Sequence, residues 1–400
     1  MDDLLFLVHR IPYPPNKGDK IRSFHLLRFL SEHYRVHLAT FIDQPEDRVH
    51  RARVAECCAS SWFGTLDPRR DKFLSLRGLL GGEPLTLTYY RDRALRRWLR
   101  ETRARHAIGR VLAFSSSMGQ YLFDPACADL RRVIDLVDVD SEKWRQYAAE
   151  SPPPMRWVYA REARRLGAFE RRLATACDAS TLVSEAEAAL FRERLDDASA
   201  RVEVVGNGVD TAHFAVAPGT PSPYPDLAPR LVFTGAMDYW ANAQGAAWFA
   251  EQVLPRIRAR RADAEFWVVG MNPTRAVRQL GRLPGVVVTG AVPDVRPYLQ
   301  HAAAAVVPLH IARGIQNKVL EAMAMARPVI ATPQALEGIP AAPGREARVA
   351  EAVEPFAAEC LAALATSDDP MGAQGRALVE RHFAWEATLP RLVELLEGGS

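Results

Sequence analysis

The sequence predicts an α/β protein made of two doubly wound halves. Three observations carry that prediction. Short, uniformly apolar runs recur along the chain, as at residues 4–8, 111–114, 231–233 and 304–307. Such runs suit parallel strands covered on both faces, which need no polar side. A succession of strand, loop, helix and strand is set up at the N-terminus and begins again near residue 231, the pattern of a doubly wound sheet. Between the two lies a stretch, residues 217–229, with five prolines, a composition that fits a stiff linker.

In the first half, residues 4–10 form a buried strand, followed by the loop IPYPPNKGDK and a helix to about Glu32 with Asp19 as its cap. Residues 35–41 alternate well enough for a second strand. Gly18 is the only glycine of the first loop, so no G-x-G-x-x-G dinucleotide fingerprint is present, which argues against an NAD enzyme. Two segments, residues 91–105 and 156–173, are basic and carry Trp98, Trp157, Tyr159 and Phe169. They suit either solvated helices or contact with an anionic membrane surface. Residues 111–114 and 133–137 are further strands. Asp138-Val139-Asp140 follows the second, with Asp140 or Ser141 as cap of the next helix. D-x-D holds a divalent cation in some sugar transferases, but alone it is a weak signal. Ser184 and Glu187 have the spacing of a capping box. Residues 202–205 close the half, and Asn207-Gly208 is a turn.

The second half opens on LVFTG, with Gly235 after the strand, and a helix follows Asn242. EFWVVG ends on Gly270, where a ligand can approach the backbone; VVVTG is the next strand. Residues 303–332, AAAAVVPLHIARGIQNKVLEAMAMARPVIA, form one βαβ unit. Pro308 ends its first strand and Pro328 stops the helix, which begins near Ile315 or Gln316 and ends near Ala326. Asn317, Lys318 and Glu321 lie three and four apart and so share one side of an otherwise apolar helix. That spacing suits an intrahelical Lys318–Glu321 pair. It equally suits a ligand site: phosphate at the open N–H groups and Lys318, and sugar hydroxyls on Glu321. An Ala-rich helix, residues 354–365, and the tail HFAWEATLPRLVELLE complete the chain.

Composition narrows the function. Lys plus Arg is 51 against 48 Asp plus Glu, and a net charge of +3 is no nucleic-acid signature. No 18-residue apolar run marks a transmembrane helix, and the acidic start Met1-Asp2-Asp3 does not suit a signal peptide. Five cysteines, with Cys57 and Cys58 adjacent, give neither a disulfide framework nor zinc spacing, which fits a reducing cytoplasm.

The string NKVLEAMAMARPVIAT resembles the donor-site signature of glycosyltransferase family 4, with Glu321 at its second Glu and Pro328 and Val329 in place. The turn from Arg313 to Lys318 and the segment from Asp135 to Tyr147 resemble the branch associated with bacterial exopolysaccharide and PEP-CTERM export systems. The chain departs from the family pattern at Arg313, which stands where the first Glu is expected, at Arg327, and at the Ala236–Asn242 loop, which lacks the family's Arg and Lys. The resemblance implies a GT-B fold: two Rossmann-like domains facing a central cleft. Residues 1–210 form the acceptor side, joined by a C-terminal helix at about 378–400, and residues 211–377 the donor side.

It implies a retaining, metal-independent transferase in bacterial exopolysaccharide synthesis, cytoplasmic or peripheral on the inner membrane face. The nucleotide-sugar donor serves as co-substrate with no resident cofactor, and the acceptor is a glycan or lipid-linked. Asp138, Lys318 and Arg313 are the candidate catalytic residues. Gly314, Ile315, Gln316, Asn317, Glu321, Gly235, Gly270, Gly18 and Lys17 are the candidate donor-binding residues, and none is assigned to metal. Two further readings stay open, a non-catalytic nucleotide-sugar-binding subunit and a sugar-nucleotide epimerase using Asp138 and Asp140.

Overall fold

The structure is a computed structural model that describes residues 1–400, apart from 16, 69, 71–74, 76, 77, 196, 198, 227, 313, 367, 368 and 400 and the side chains of 79 and 80. The chain divides into two compact units, Met1–Asn207 with Thr388–Ser400, and Gly208–Ala387.

The first unit is built on seven parallel strands: β1 (Asp3–Val8), β2 (Arg35–Ile42), β3 (Ser60–Thr65), β4 (Ile108–Phe114), β5 (Arg131–Val137), β6 (Ala179–Leu182) and β7 (Val202–Val204), in the order β3-β2-β1-β4-β5-β6-β7. All six residues of β1 are buried, as a central parallel strand requires. The edge strand β3, SSWFGT, is mostly half-buried. Its serines break the apolar signal, and sequence periodicity does not reveal it.

Three helix starts differ from expectation. Asp19 does not cap the helix Gly18–His33; Lys17 holds the cap position with no side-chain bond. Asp19 lies in the first turn, favourable for an acid near the helix dipole, and accepts from Arg10 at 2.5 Å. Neither Asp140 nor Ser141 caps the helix Asp140–Glu150, whose cap position is Val139. Both are drawn elsewhere: Asp140 accepts from Ser116 at 2.7 Å, and Ser141 donates to the buried Glu170. Ser184 does cap the helix Glu185–Arg192, accepting from the Glu187 N–H. Glu187 completes no box, because its carboxylate accepts from the Val139 N–H instead.

The helix Gly18–His33 is anchored through Arg22, which is 1 % exposed. Its guanidinium donates to Asp135 at 2.8 and 3.2 Å and to the carbonyls of Val205 and Gly206. Thr181 donates to the same carboxylate at 3.0 Å. A buried ion pair survives when its remaining lone pairs and protons are bonded in this way. In the basic helix Arg93–Arg105, Leu95, Leu99 and Thr102 face inward. Arg96 and Arg100 meet the buried Asp124, and Arg103 meets Asp129. Much of that positive charge is therefore neutralised within the unit.

The second unit carries six parallel strands: β8 (Arg230–Thr234), β9 (Glu265–Val269), β10 (Val286–Gly290), β11 (Ala304–Val307), β12 (Val329–Ala331) and β13 (Arg348–Val349). Their order is β10-β9-β8-β11-β12-β13, which reads 3-2-1-4-5-6 from the unit's own first strand, the dinucleotide-fold arrangement. The order in which the chain adds strands reverses between β8 and β11, which pair in parallel, and at such a switch point ligands bind beyond the carboxyl ends of the strands.

The tail is shared. The helix Pro370–His382 packs in the second unit, where Arg376 donates to the Ala324 carbonyl. The helix Pro390–Glu397 belongs to the first, where the Leu395 carbonyl accepts from Arg131 at 2.6 Å.

Candidate active site

Three chain segments leave the sheet of the second unit at its switch point. Behind β8 comes Gly235, and behind β9 comes Gly270. The two backbones touch: a Cβ on Gly270 lies 1.7 Å from the Gly235 carbonyl oxygen, a distance no side chain tolerates. Gly270 thus serves a close approach of backbone to backbone. Gly270→Ala is expected to lower stability by about 2 kcal/mol, read as a fall in melting temperature. An unchanged melting temperature would show that these turns part freely.

The third segment follows β11. Pro308 takes the chain out of the sheet, Gly314 turns it in the left-handed region at φ 67°, and the helix Asn317–Ala324 begins. Its first internal bond runs from the Val319 N–H to the Gln316 carbonyl at 2.9 Å. The N–H groups of Asn317 and Lys318 precede it and have no intrahelical acceptor. The helix buries Val319, Leu320, Ala322, Met323 and Ala324, so its inward stripe is apolar and its polar residues fall on the pocket side. The helix is shorter than expected, ending at Ala324. Ala326 takes a left-handed φ of 51°, which turns the chain towards Pro328.

Between these segments lies a pocket of 510 Å³, lined among others by Gly235, Asn242, Gly270, Asn317, Lys318 and Glu321. Ile315 and Gln316 also border it. Lys318 donates to the Asn242 side-chain oxygen at 2.7 Å, and Asn242 donates in turn to the Ala236 carbonyl at 2.8 Å. The Lys318 Nζ stands 5.5 Å from the centre of the Phe233 ring, a favourable cation–π distance. Burial brings the Lys318 ammonium down to about 8, against the opposing pull of Glu321. Burial pushes Glu321 up to about 7, against the pull of Lys318. Among the described residues no ion pair joins the two, so the spacing that suits an intrahelical pair is not used for one. A lysine aimed into a pocket by a neutral amide keeps its charge available for a ligand anion.

The structure thus brings together five of the predicted site residues, Gly235, Gly270, Asn317, Lys318 and Glu321, with the predicted Gln316 and Ile315 around one cavity. Gly314 shapes the turn before it, its carbonyl accepting from Gln316 at 3.0 Å. Arg313 lies outside the described residues. The three predicted residues of the first unit are placed as follows. Lys17 and Gly18 are exposed at the start of the helix Gly18–His33. Asp138, at the carboxyl end of β5, accepts from Lys143 at 2.8 Å. Lys143 also reaches Asp140 at 3.4 Å, so both carboxylates of the D-x-D share one lysine. Among the described residues only Asp3, His37 and His106 are grouped as metal ligands are. His37 there already bonds Asp3 and Ser60 through its two ring nitrogens.

Asn242 and Phe233 are the site residues that sequence reasoning misses as functional. Asn242 draws notice only as a departure from the family pattern. Its pairing with Lys318 spans 76 positions and leaves no local signal.

Residues 228–366, which contain this pocket except for Phe214, match the family described as glycosyl transferases group 1. No curated protein matches the chain significantly. Solved structures resemble it end to end. Sucrose-phosphate synthase from Thermosynechococcus elongatus superposes with a TM-score of 0.62 at 17 % identity, over 100 % of this chain and 99 % of that one. The HepE protein of Anabaena, in complex with UDP and glucose, gives 0.62 at 14 % identity over 100 % of both. A glycosyltransferase from Rickettsia africae gives 0.63 at 13 % identity over 99 % and 98 %. The fold is GT-B. In a GT-B protein the two parallel sheets found here are the two Rossmann-like units, and the pocket occupies the switch point of the second. Among the described residues no helix is long and apolar enough to cross a membrane.

Proposed function

We propose that this GT-B protein is a retaining glycosyltransferase. It takes a nucleoside-diphosphate sugar as co-substrate and passes the sugar to a glycan or lipid-linked acceptor in bacterial exopolysaccharide synthesis, without a metal ion. The observation that carries the reading is Lys318, held by Asn242 at 2.7 Å beside two open helix N–H groups, with Glu321 one turn further along the same pocket. A diphosphate fits the cation and the N–H groups, and a ribose diol fits the carboxylate. The family match across residues 228–366 supports it, as does a structural neighbour solved with UDP and glucose.

In the proposed reaction the acceptor oxygen bonds to the anomeric carbon as the carbon–oxygen bond to the diphosphate breaks. The acceptor proton passes to the departing phosphate oxygen. Lys318 and the helix N-terminus stabilise the charge that develops on that diphosphate. Asp138 is assigned to acceptor contact, and Arg313 to the donor sugar or a phosphate.

A thermal-shift screen of UDP, GDP, ADP and dTDP, with and without EDTA, tests the reading. One diphosphate is expected to raise the melting temperature in EDTA and to lose that effect in Lys318→Ala, since ligand in excess stabilises the folded state by a few kcal/mol. Stabilisation that requires a divalent cation and ignores Lys318, or no stabilisation at all, would overturn it.

We place the protein in the cytoplasm, touching the anionic inner membrane face through the exposed Tyr147, Met155 and Trp157 beside Arg156. Vesicles with anionic headgroups are expected to shift tryptophan fluorescence to the blue in the wild type and less in Trp157→Ala. Equal shifts in the two would remove the contact from this helix.

A further inference from the structure

The three metal-ligating side chains grouped in the first unit have no part in the reading above. Asp138 stands at the carboxyl end of β5, whereas Asp3 opens β1, His37 lies near the start of β2, and His106 precedes β4. These strands run in parallel with β1 in the middle, so the three residues meet at the amino edge of the sheet. Register puts them on one face. Asp3 pairs with Arg35 in β2 and with Ile108 in β4, and His37 and His106 stand two places from those partners. A spacing of two returns a side chain to the same side of a sheet. One carboxylate oxygen of Asp3 and one ring nitrogen of each histidine lie within 4.8 Å of one another.

The bonding within the cluster suits a metal ion. His37 is fully buried. Its Nε2 lies 2.9 Å from Asp3 Oδ1, and its Nδ1 lies 2.7 Å from the Ser60 hydroxyl. With Ser60 as acceptor the proton is held on Nδ1, and the Nε2 lone pair is left for a metal, the usual outer-shell arrangement of a ligating histidine. The His106 ring centre is 4.3 Å from that of His37. Among the described residues no hydrogen bond is made by either His106 ring nitrogen. His106 is half-buried, which gives an ion a path from solvent. Arg35 competes for Asp3 Oδ1 at 3.1 Å, but its side chain is 51 % exposed and can turn to water.

We propose that Asp3, His37 and His106 form a binding site for a divalent transition-metal ion of the zinc class, with water as the fourth ligand. Two imidazoles and one carboxylate favour such an ion over Mg²⁺ or Ca²⁺, which take oxygen ligands. Ligand atoms about 2.1 Å from a tetrahedral ion lie about 3.4 Å apart, so Asp3 and His37 need to open by only about half an ångström. The bound ion clamps the amino ends of β2, β1 and β4. Its role is structural, and it stands whether or not the pocket of the second unit takes a nucleotide.

Calorimetric titration of the untagged full chain, stripped with EDTA and then freed of it, tests the proposal with Zn²⁺. One ion per chain is expected to bind and to raise the melting temperature, and Mg²⁺ is expected to do neither. His106→Ala breaks no side-chain hydrogen bond, so its circular dichroism should stay that of the folded protein while its Kd for Zn²⁺ rises about a hundredfold, at least the cost of a lost outer-shell partner. Asp3→Asn keeps the shape and removes the charge, and a similar rise is expected. Co²⁺ in place of Zn²⁺ should give a visible spectrum without a thiolate charge-transfer band. No binding by the wild type, equal affinity for Mg²⁺, or binding that survives both variants would each overturn the proposal. So would a thiolate band, which puts the ion on cysteines instead.

Discussion

Lys318→Met is expected to weaken binding of the preferred nucleoside diphosphate by roughly a hundredfold, about 3 kcal/mol. The methionine keeps the length and the apolar packing over Phe233 but removes the cation. The diphosphate then enters a pocket in which its charge meets only the helix N–H groups. The ligand-free protein should not suffer to match, because the lysine is itself held at a cost: burial brings its ammonium down to about 8. The sign of the pH dependence follows. The folded group releases its proton near 8 and the unfolded one near 10.5, so the unfolded state binds more protons across that window, and this group's contribution to stability rises with pH there. Donor affinity should move the other way, falling as the pH passes about 8 and the cation is lost. On the acid side, Glu321 takes up its proton as the pH falls through about 7 and ceases to be a pure acceptor for the ribose hydroxyls. Affinity should therefore peak between these values, the two limbs belonging to the pair jointly. Isothermal titration across pH 6 to 9 with wild type and Lys318→Met checks this. Equal affinities, or a wild-type affinity still rising above pH 8, would remove Lys318 from the phosphate site.

The pocket of the second unit was legible in outline because its main elements are local. The prolines at 308 and 328, a glycine turn and polar residues three and four apart on an apolar helix together place a switch-point site within a few positions. Its second layer was not legible. Asn242 orients Lys318 and Phe233 lies near it, but both come from β8 or the chain just beyond it, far away in sequence. The role of Gly270 was read in part: the position does need a bare backbone, but the neighbour is Gly235. The missed caps share one cause. Asp19, Asp140 and Ser141 each had a local donor within reach, and each was claimed by a stronger tertiary partner: Arg10, Ser116 and Glu170 respectively. Propensity describes what a side chain can do for its own helix, and a charged or buried partner outcompetes it. The edge strand β3 was hidden for the opposite reason, since a strand paired on one side only does not need an unbroken apolar run.

The first unit carries a pH effect of its own, and it is expected to be the largest on stability. Glu170 sits 1 % exposed on the helix Met155–Ala176. Burial raises its carboxyl to about 8, the hydrogen bonds from Ser141 pull it down, Asp140 pushes it further up, and Lys143 opposes that push. The unfolded group titrates at 4.5, so the folded state binds the extra proton throughout the interval between them. The stabilisation is complete below 4.5 and is lost as the pH rises through about 8, with a full span of roughly 4 to 5 kcal/mol. Replacement by glutamine keeps the shape and an acceptor for Ser141 but cannot ionise. Denaturant unfolding of wild type and Glu170→Gln at pH 5, 6.5 and 8.5 isolates the effect, since histidines titrating in the same range contribute to both proteins alike. The two should be similar at pH 5 and diverge steadily towards pH 8.5, with the glutamine variant the more stable. Parallel curves would mean that Glu170 is already ionised at neutral pH, with its charge compensated by Lys143.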